Sequence, residues 1–382
     1  MRRQMYRDIL GIGLTGKTLT DLERRILRER TPYAVVLFAR NVGDADQTRS
    51  LIDEVKSIAS RPPLIMIDQE GGRVDRLRHL IRGLPSAEAF AEGETPRELS
   101  EWLGRVIGKA LRWLDIEVDL APVVDIRGEQ SPKGLERRTF GADVETVVDL
   151  AGAFMRGLHS AGTVSCLKHF PGIGLGSADP HYGITIIDTS LEELMHRDLV
   201  PYARLGSEAG AVMIGHGSYP RVDEEDVPAT LSRRLTHDLL RDTLGFDGVA
   251  ISDDMEMHAV SDLGPYEMIA ERALMAGNDC VLFCSHIERV PDLQSHLERR
   301  VNEDANIRAR FEEAEARCER YRKHCERLRS EASAPASFDE VLDDAARFVE
   351  EFEKTRPHRE IVVPDVERRK NDRKRTGREE WT

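Results

Sequence analysis

The feature that most constrains the fold of this chain is a series of short apolar runs along the first three quarters of its 382 residues. Most of the runs are continuous rather than alternating, which is typical of parallel strands buried on both faces. The eight runs are Ile9–Leu14, Val35–Phe38, Leu64–Ile67, Val118–Val124, Val164–Leu167, Ala211–Ile214, Gly248–Ile251 and Cys280–Phe283.

Helical segments fit between the runs. Asp44 and Ser190 are typical helix N-caps, and Gly245 is a typical residue just beyond a helix C-terminus. Eight strands that alternate with helices predict an α/β fold, a (β/α)8 TIM-type barrel. A doubly wound open sheet has the same order of elements and stays open as an alternative.

Composition limits the function classes. The net charge is −14, which argues against nucleic acid or an anionic membrane as a partner. No apolar run approaches the roughly 20 residues that a membrane helix needs. Asp8 interrupts the apolar N-terminal stretch, so it does not resemble a secretory signal, and five scattered cysteines do not form a disulfide framework. Together these features predict a cytoplasmic protein.

The character of the chain changes near residue 287, where Glu and Arg become dense. We expect residues 1–290 to form the catalytic barrel and 291–363 to form a charged helical extension packed on or beside it. Residues 364–382 contain almost nothing apolar and are expected to form a disordered tail.

Polar residues cluster where the predicted strands end. These clusters are Asp68 to Arg73 after the third strand, Lys168 and His169 after the fifth, His216 after the sixth, and Asp253 and Asp254 after the seventh. The carboxyl ends of parallel barrel strands converge on one face, where active sites are built. The sequence therefore predicts an active site on that face.

The available side chains narrow the chemistry. The glycines of residues 11–16 match GxGxxG, but this stretch opens the chain without a complete preceding strand, which argues against dinucleotide binding. His169, His181 and His216 could meet at a metal, although no His or Cys pair has metal-ligand spacing on one helix. We expect no metal and no cofactor. Carboxylates, lysine, arginine and histidine suit hydrolysis of a hydroxyl-rich substrate by acid–base and nucleophilic groups.

Eight motifs, read in order, resemble the β-N-acetylglucosaminidases of glycoside hydrolase family 3 over about residues 5 to 285. They are Phe38-Ala39-Arg40-Asn41, Ile67-Asp68-Gln69-Glu70-Gly71-Gly72-Arg73-Val74, Leu120-Ala121-Pro122-Val123-Val124-Asp125, Arg138-Thr139-Phe140-Gly141, Lys168-His169-Phe170-Pro171-Gly172, Asp179-Pro180-His181, Val212-Met213 with His216, and Ile251-Ser252-Asp253-Asp254-Met255.

The resemblance implies a retaining mechanism with Asp253 as the nucleophile. By strand alternation Asp254 would point away and hold a structural hydrogen bond. The resemblance places the acid/base in an Asp–His dyad, Asp179 and His181, on a mobile loop. A histidine titrates near neutral pH and can give and retake a proton there. The alternative is a surface loop with an incidental histidine.

By the same resemblance, the terminal sugar is surrounded by Asp68, Arg138, Lys168, His169 and His216. For Glu70 and Arg73 a structural ion pair and a substrate contact both stay open. The chain also departs from the family pattern, because Ile173 stands where a histidine is usual. This departure puts loop closure and rate in question.

The resemblance implies an exo-acting hydrolase of β-linked N-acetylglucosamine, acting on muropeptides in peptidoglycan recycling. Its partner is then a small-molecule or oligosaccharide substrate. Two alternatives stay open. One is a phosphorylase, since a histidine acid/base does not repel an incoming phosphate dianion as a carboxylate would. The other is an inactive barrel that serves as a binding protein.

Overall fold

A closed barrel of parallel strands forms the centre of the computed structural model, which describes residues 9–91, 97–178, 183–223 and 227–355. The strands follow the eight apolar runs: β1 Leu10–Gly13, β2 Ala34–Leu37, β3 Leu64–Ile67, β4 Val118–Asp119, β5 Val164–Ser165 continued by Leu167–Phe170, β6 Ala211–Ile214, β7 Val249–Asp254 and β8 Cys280–Phe283. The first part of β5 pairs with β4 and the second with β6, while β1 pairs with β8. This closure confirms the barrel and excludes the open sheet.

Helices follow the strands around the outside of the barrel. They are α1 Asp21–Glu29, α2 Ala45–Ile58, α3 Glu88–Ala91, α4 Arg97–Leu114, α5 Val144–Ser160, α6 Leu191–His196, α7 Val200–Ala209, α8 His258–Ser261, α9 Tyr266–Ala276, α10 Val290–Glu303, α11 Ala305–Glu331 and α12 Phe338–Lys354. A π-helix, Arg234–Thr243, connects β6 to β7. Short 3-10 turns lie at Ala39–Asn41, Lys133–Leu135, Ala229–Leu231 and Ile287–Arg289.

The capping signals of the sequence are confirmed. Asp44 accepts a hydrogen bond from the Gln47 N–H at the start of α2, and Ser190 forms a capping box with Glu193 at the start of α6. Gly245 follows the π-helix with φ +67°, a left-handed conformation that glycine adopts without a steric penalty.

Alternation along the strands separates two parts of the core. Inward side chains such as Ala34, Val36 and Met66 fill the barrel interior. Outward side chains such as Val35 and Ile65 pack against the surrounding helices. Both faces of the strands are therefore apolar, which explains the continuous apolar runs in the sequence.

Two of the three glycines that match GxGxxG, Gly11 and Gly13, lie within strand β1. A Cβ on Gly13 would lie 2.1 Å from the Cys284 carbonyl oxygen, and one on Gly11 would lie 2.3 Å from Leu282. These glycines therefore allow β1 to approach β8 closely, and they do not form a phosphate-binding loop between a strand and a helix.

Helix α11 closes the N-terminal end of the barrel. Its Cys318, Tyr321 and Cys325 are buried among the inward side chains of the strands. Arg322 donates hydrogen bonds to the carbonyl oxygens of Pro62 and Tyr33, at 2.8 and 3.3 Å. The charged segment thus has one buried face.

Helix α12 packs on α4, where Trp102 lies edge-on to Phe348 and Lys109 pairs with Asp344 at 2.8 Å. The expected helical character of the C-terminal extension is confirmed, and its division from the barrel at residue 290 stays a prediction. All five cysteines are buried and free. In the described part of the chain, no helix has the length and apolarity needed to cross a membrane.

Candidate active site

The carboxyl ends of β3, β5, β6 and β7 bring the polar clusters to one face, as expected. Asp68 follows β3, Lys168 and His169 lie in the last part of β5, His216 follows β6 and Asp253 lies in β7. Arg138 reaches the same pocket from the loop between β4 and α5, where its Nη2 lies 3.5 Å from His169 Nε2.

Lys168 is the charged centre of the pocket. Its side chain is 1% exposed, and its Nζ lies 2.6 Å from Asp68 Oδ1 and 2.7 Å from Glu70 Oε1. Burial by itself lowers the pKa of Lys168, but the charges of Asp68 and Glu70 outweigh it and raise the pKa above its usual value. Lys168 is therefore a permanent cation, and the other oxygen of Asp68, Oδ2, lies 3.9 Å from Arg76 Nη2.

Glu70 holds the two cations of the pocket together. It accepts a bidentate pair of hydrogen bonds from Arg138, at 2.8 Å from Nε and 2.7 Å from Nη2. Burial favours the neutral acid, yet Lys168 and Arg138 lower the pKa of Glu70 well below its usual range. The geometry thus favours the ion pair over a substrate contact for Glu70.

The turn after β3 fixes the backbone around Glu70. Gln69 donates from Nε2 to Asp75 and accepts from the Leu77 N–H, both at 2.9 Å. Strands Gln69–Gly71 and Val74–Asp75 pair in an antiparallel hairpin whose turn contains Gly71 and Gly72 at φ +85° and +59°. Glycine adopts such conformations without a steric penalty, so the Gly-Gly pair allows the chain to form this turn.

Asp253 lies at the end of β7, half-buried, with its Oδ1 accepting from the Asp254 N–H at 2.8 Å. Burial by itself raises the pKa of Asp253, but in the acid range where a carboxyl titrates, the charges of His216 and His169 and that backbone N–H lower it below its usual value. The carboxylate is therefore ionised at neutral pH, which is the state that a nucleophile needs.

The Asp254 carboxyl group forms hydrogen bonds with backbone N–H groups. Its Oδ1 accepts from the N–H groups of Glu256 and Cys284, at 3.1 and 3.2 Å. Burial, with the charges of Glu256 and Asp253, raises the pKa of Asp254 to about 7. Two adjacent carboxyl groups thus differ in state, as expected where one reacts and the other supports the structure.

Both ring nitrogens of His216 have protein partners. Nε2 lies 2.9 Å from the Asp254 carbonyl oxygen and must donate to it, while Nδ1 lies 2.9 Å from Thr230 Oγ1. Burial lowers the pKa of His216, so the ring is neutral and Nδ1 accepts from Thr230. This arrangement supports the strand end that carries Asp253, and it leaves neither nitrogen free for a sugar or a metal.

His169 has a partner that the sequence did not single out as a site residue. Its Nδ1 lies 2.8 Å from Asp125 Oδ2, and its backbone N–H donates to the same oxygen at 3.2 Å. The other oxygen of Asp125 accepts from the Ile173 N–H at 2.8 Å. The available signal was the acidic end of the motif Leu120 to Asp125, but contact with His169, 44 positions away, cannot be read from it.

The proposed acid/base dyad, Asp179 and His181, lies outside the described residues. The strands Ser177–Ala178 and Thr185–Ile186 on either side pair antiparallel. Arg73 points away from the charged network: its side chain is 54% exposed and donates to the Lys133 carbonyl oxygen at 3.0 Å. Among the described residues, one His/Asp group has metal-ligand proximity, His237 with Asp238 and Asp242 on the π-helix, and it includes none of the site residues.

Comparison with known proteins assigns the chain to a family. Residues 13–320 match the family model described as the glycosyl hydrolase family 3 N-terminal domain. The chain belongs to glycoside hydrolase family 3. A β-hexosaminidase of Pseudomonas aeruginosa is 39% identical over 277 residues, which cover 72% of this chain and 82% of that protein.

Solved structures give the same assignment. A family 3 β-N-acetylglucosaminidase from Paenibacillus sp. str. FPU-7 superimposes with a TM-score of 0.82 at 29% identity, covering 92% of this chain and 68% of that one. NagZ from Neisseria gonorrhoeae, in complex with N-trifluoroacetyl-D-glucosamine, superimposes with a TM-score of 0.71 at 27% identity, covering 89% and 97%.

Proposed function

We propose that this family 3 enzyme is a retaining exo-β-N-acetylglucosaminidase that hydrolyses terminal β-linked N-acetylglucosamine by double displacement. The observation that carries the mechanism is the placement of Asp253 at the carboxyl end of β7, on the face that also holds the buried Lys168 network. The names of the relatives, β-hexosaminidase and β-N-acetylglucosaminidase, support the choice of sugar.

In the first step, a carboxylate oxygen of Asp253 attacks the anomeric carbon as the bond to the leaving oxygen breaks, and a glycosyl-enzyme ester forms. The leaving oxygen takes a proton from His181, which Asp179 orients. The Asp254 N–H, held against Asp253 Oδ1 at 2.8 Å, fixes the carboxylate before attack.

In the second step, His181 removes a proton from water, and the resulting oxygen nucleophile displaces Asp253 from the anomeric carbon. Two inversions leave the configuration retained. A histidine suits both steps because its unperturbed pKa, about 6.5, lies near the working pH.

Recognition of the terminal sugar rests on fixed donors and acceptors. Lys168 and Arg138 donate to hydroxyl or acetamide oxygens, and Asp68 accepts from hydroxyl groups with the oxygen that Lys168 leaves open. His169 contributes its Nε2, which lies beside Arg138. His216 contributes indirectly, by holding the Asp254 carbonyl at the nucleophile strand.

The natural substrate in this proposal is a muropeptide with terminal N-acetylglucosamine, and the compartment is the cytoplasm. The net charge of −14 supports a small glycan rather than nucleic acid as the partner.

The test is release of nitrophenol from the β-N-acetylglucosaminide and the β-glucoside, with and without phosphate, for the natural protein, Asp253→Asn and Asp254→Asn. We expect turnover of the acetamido sugar without phosphate. Asp253→Asn should lower kcat by at least about 10³-fold because the nucleophile is lost. Asp254→Asn keeps an acceptor for the two backbone N–H groups and should cost less than about tenfold.

Each other outcome has a distinct meaning. Turnover that depends on phosphate and yields a sugar phosphate would identify a phosphorylase. Preference for the plain glucoside would overturn the choice of sugar, and equal losses in the two variants would overturn the assignment of Asp253. Binding of N-acetylglucosamine without turnover of either glycoside would identify a binding protein.

A further inference from the structure

Asp125 is a buried carboxyl group that contacts His169, a proposed sugar-binding residue. It is 1% exposed and lies beyond β4, toward the carboxyl end of the barrel. Its two oxygens receive three donors from one neighbouring segment: the N–H and Nδ1 of His169, and the N–H of Ile173.

This geometry determines how His169 faces the pocket. A carboxylate oxygen only accepts, so the His169 nitrogen 2.8 Å from it, Nδ1, carries the hydrogen. In the neutral ring Nε2 then presents a lone pair, and Nε2 is the atom beside Arg138 Nη2, at 3.5 Å. Without Asp125, the ring could rotate or place its hydrogen on Nε2, which would turn an acceptor into a donor.

The same carboxylate ties the ring to the backbone of the segment that follows β5. Ile173 N–H donates to Oδ1 while His169 donates to Oδ2, so one rigid group joins two residues that are four positions apart in that segment. Ile173, which stands where the family usually has histidine, still supplies this backbone donor.

We propose that Asp125 is a positioning residue, which acts through His169 by holding it in the Nδ1–H form with Nε2 toward the sugar. This inference rests on the proposed function, since it specifies how the same site recognises its substrate. It requires the effect of Asp125 on turnover to disappear once the imidazole is removed.

A merely structural role is the competing explanation, and the chain offers a matched control for it. Asp198 is also buried, at 2% exposed. A Cβ added to Gly172 would lie 2.6 Å from the Cβ of Asp198, so Asp198 packs on the same segment. Its Oδ1 accepts from Arg197 at 2.8 Å, and its Oδ2 has no hydrogen-bond partner among the described residues. Asp198→Ala therefore removes a comparable carboxyl group without touching His169.

The experiment measures kcat/KM and Tm for Asp125→Ala, Asp198→Ala, His169→Ala and the double variant Asp125→Ala with His169→Ala. We expect Asp125→Ala to lower kcat/KM by about 10- to 100-fold, as for the loss of one or two hydrogen bonds to a charged group. Asp198→Ala should stay within about twofold of the natural protein, and the double variant within about threefold of His169→Ala.

A conservative variant guards against poor folding. Asp125→Asn keeps the volume and one acceptor oxygen, and its kcat/KM should fall between those of Asp125→Ala and the natural protein. The proposal would be overturned if Asp125→Ala lowered kcat/KM by the same factor in the natural protein and in His169→Ala. A loss in kcat/KM no larger than that of Asp198→Ala would also overturn it.

A spectroscopic readout separates this proposal from the proposed function. In 15N spectra of histidine-labelled protein, the signal absent from His169→Ala identifies His169, and we expect it to report hydrogen on Nδ1 in the natural protein and a changed form in Asp125→Ala. Hydrogen on Nε2 in the natural protein would overturn the proposal. Because this measurement needs no turnover, a failure of the glycosidase assay leaves it intact.

Discussion

At the residue scale, the pocket is built on balanced buried charge. Lys168 and Arg138 face Asp68 and Glu70, and Glu70 is the group that contacts both cations. Removing one partner from a buried network leaves an uncompensated charge, which is more costly than the loss of a surface pair. The proposed sugar-binding donors therefore depend on a carboxylate that need not touch the sugar.

Glu70→Gln tests that dependence. We expect it to lower the free energy of unfolding at pH 7 by about 3–5 kcal/mol, the typical cost of breaking a buried pair. The folded-state pKa of Glu70 is depressed. Its stabilisation is therefore present above the ordinary glutamate pKa, about 4.3, and is lost as the pH falls below that value. Urea unfolding of the natural protein and Glu70→Gln at pH 7 and pH 3.5 should show a smaller difference in the free energy of unfolding at pH 3.5.

The control is Glu136→Gln, in the nearby loop before Arg138. Glu136 is 64% exposed and lies 3.8 Å from Arg73, so its removal should cost less than about 0.5 kcal/mol at either pH. If Glu70→Gln lowered the free energy of unfolding equally at pH 7 and pH 3.5, the result would contradict the charge argument and indicate a loss of packing.

At the element scale, the sequence predicted what depends on local pattern. The eight strands were predictable because burial on both faces leaves continuous apolar runs, and strand ends marked Lys168 and Asp253. The partners of His216 were not predictable: Thr230 and the Asp254 carbonyl lie 14 and 38 positions away, and closure of the barrel brings them together. Asp125 is missed for the same reason.

Helix α11 shows a second limit of sequence reading. Its high content of Glu and Arg predicted a charged helical extension on or beside the barrel, and its sparse apolar residues fall on one face at helical spacing, at Ile307, Phe311, Cys318, Tyr321 and Cys325. That spacing was a usable signal. What no spacing reveals is that Arg322 supplies hydrogen bonds to carbonyl groups of two barrel loops.

Arg322→Met measures the contribution of α11 to stability. The variant leaves the Pro62 and Tyr33 carbonyl oxygens without these donors, and we expect the free energy of unfolding to fall by about 2–4 kcal/mol. Arg320→Met is the control on the same helix, because Arg320 is 53% exposed and pairs with Asp247; it should cost less than about 0.5 kcal/mol. Both variants should keep kcat, and a loss of kcat in folded Arg322→Met would argue against a purely structural helix.

At the scale of the whole molecule, the candidate active site and helix α11 lie at opposite ends of the barrel. The described site residues lie at or beyond the carboxyl ends of the strands, while α11 covers the amino ends. Arg310 and Arg241 also meet the buried Asp279, which precedes β8, at 2.8 and 2.6 Å. This separation allows stability to be changed at one end while the geometry of the site at the other is maintained.

Two truncations test how far the folded unit extends. A chain ending at residue 335 lacks α12, whose Val341, Phe348 and Phe352 are buried against the α4 side of the barrel. Each such side chain contributes about 1.5–3 kcal/mol when buried, so we expect Tm to fall by at least about 10 °C. A chain ending at residue 355 keeps all the packing described, and its Tm and kcat should match those of the full chain. Equal Tm values for the two truncated chains would contradict the packing argument, and would make α12 an appendage instead of part of the barrel's stable core.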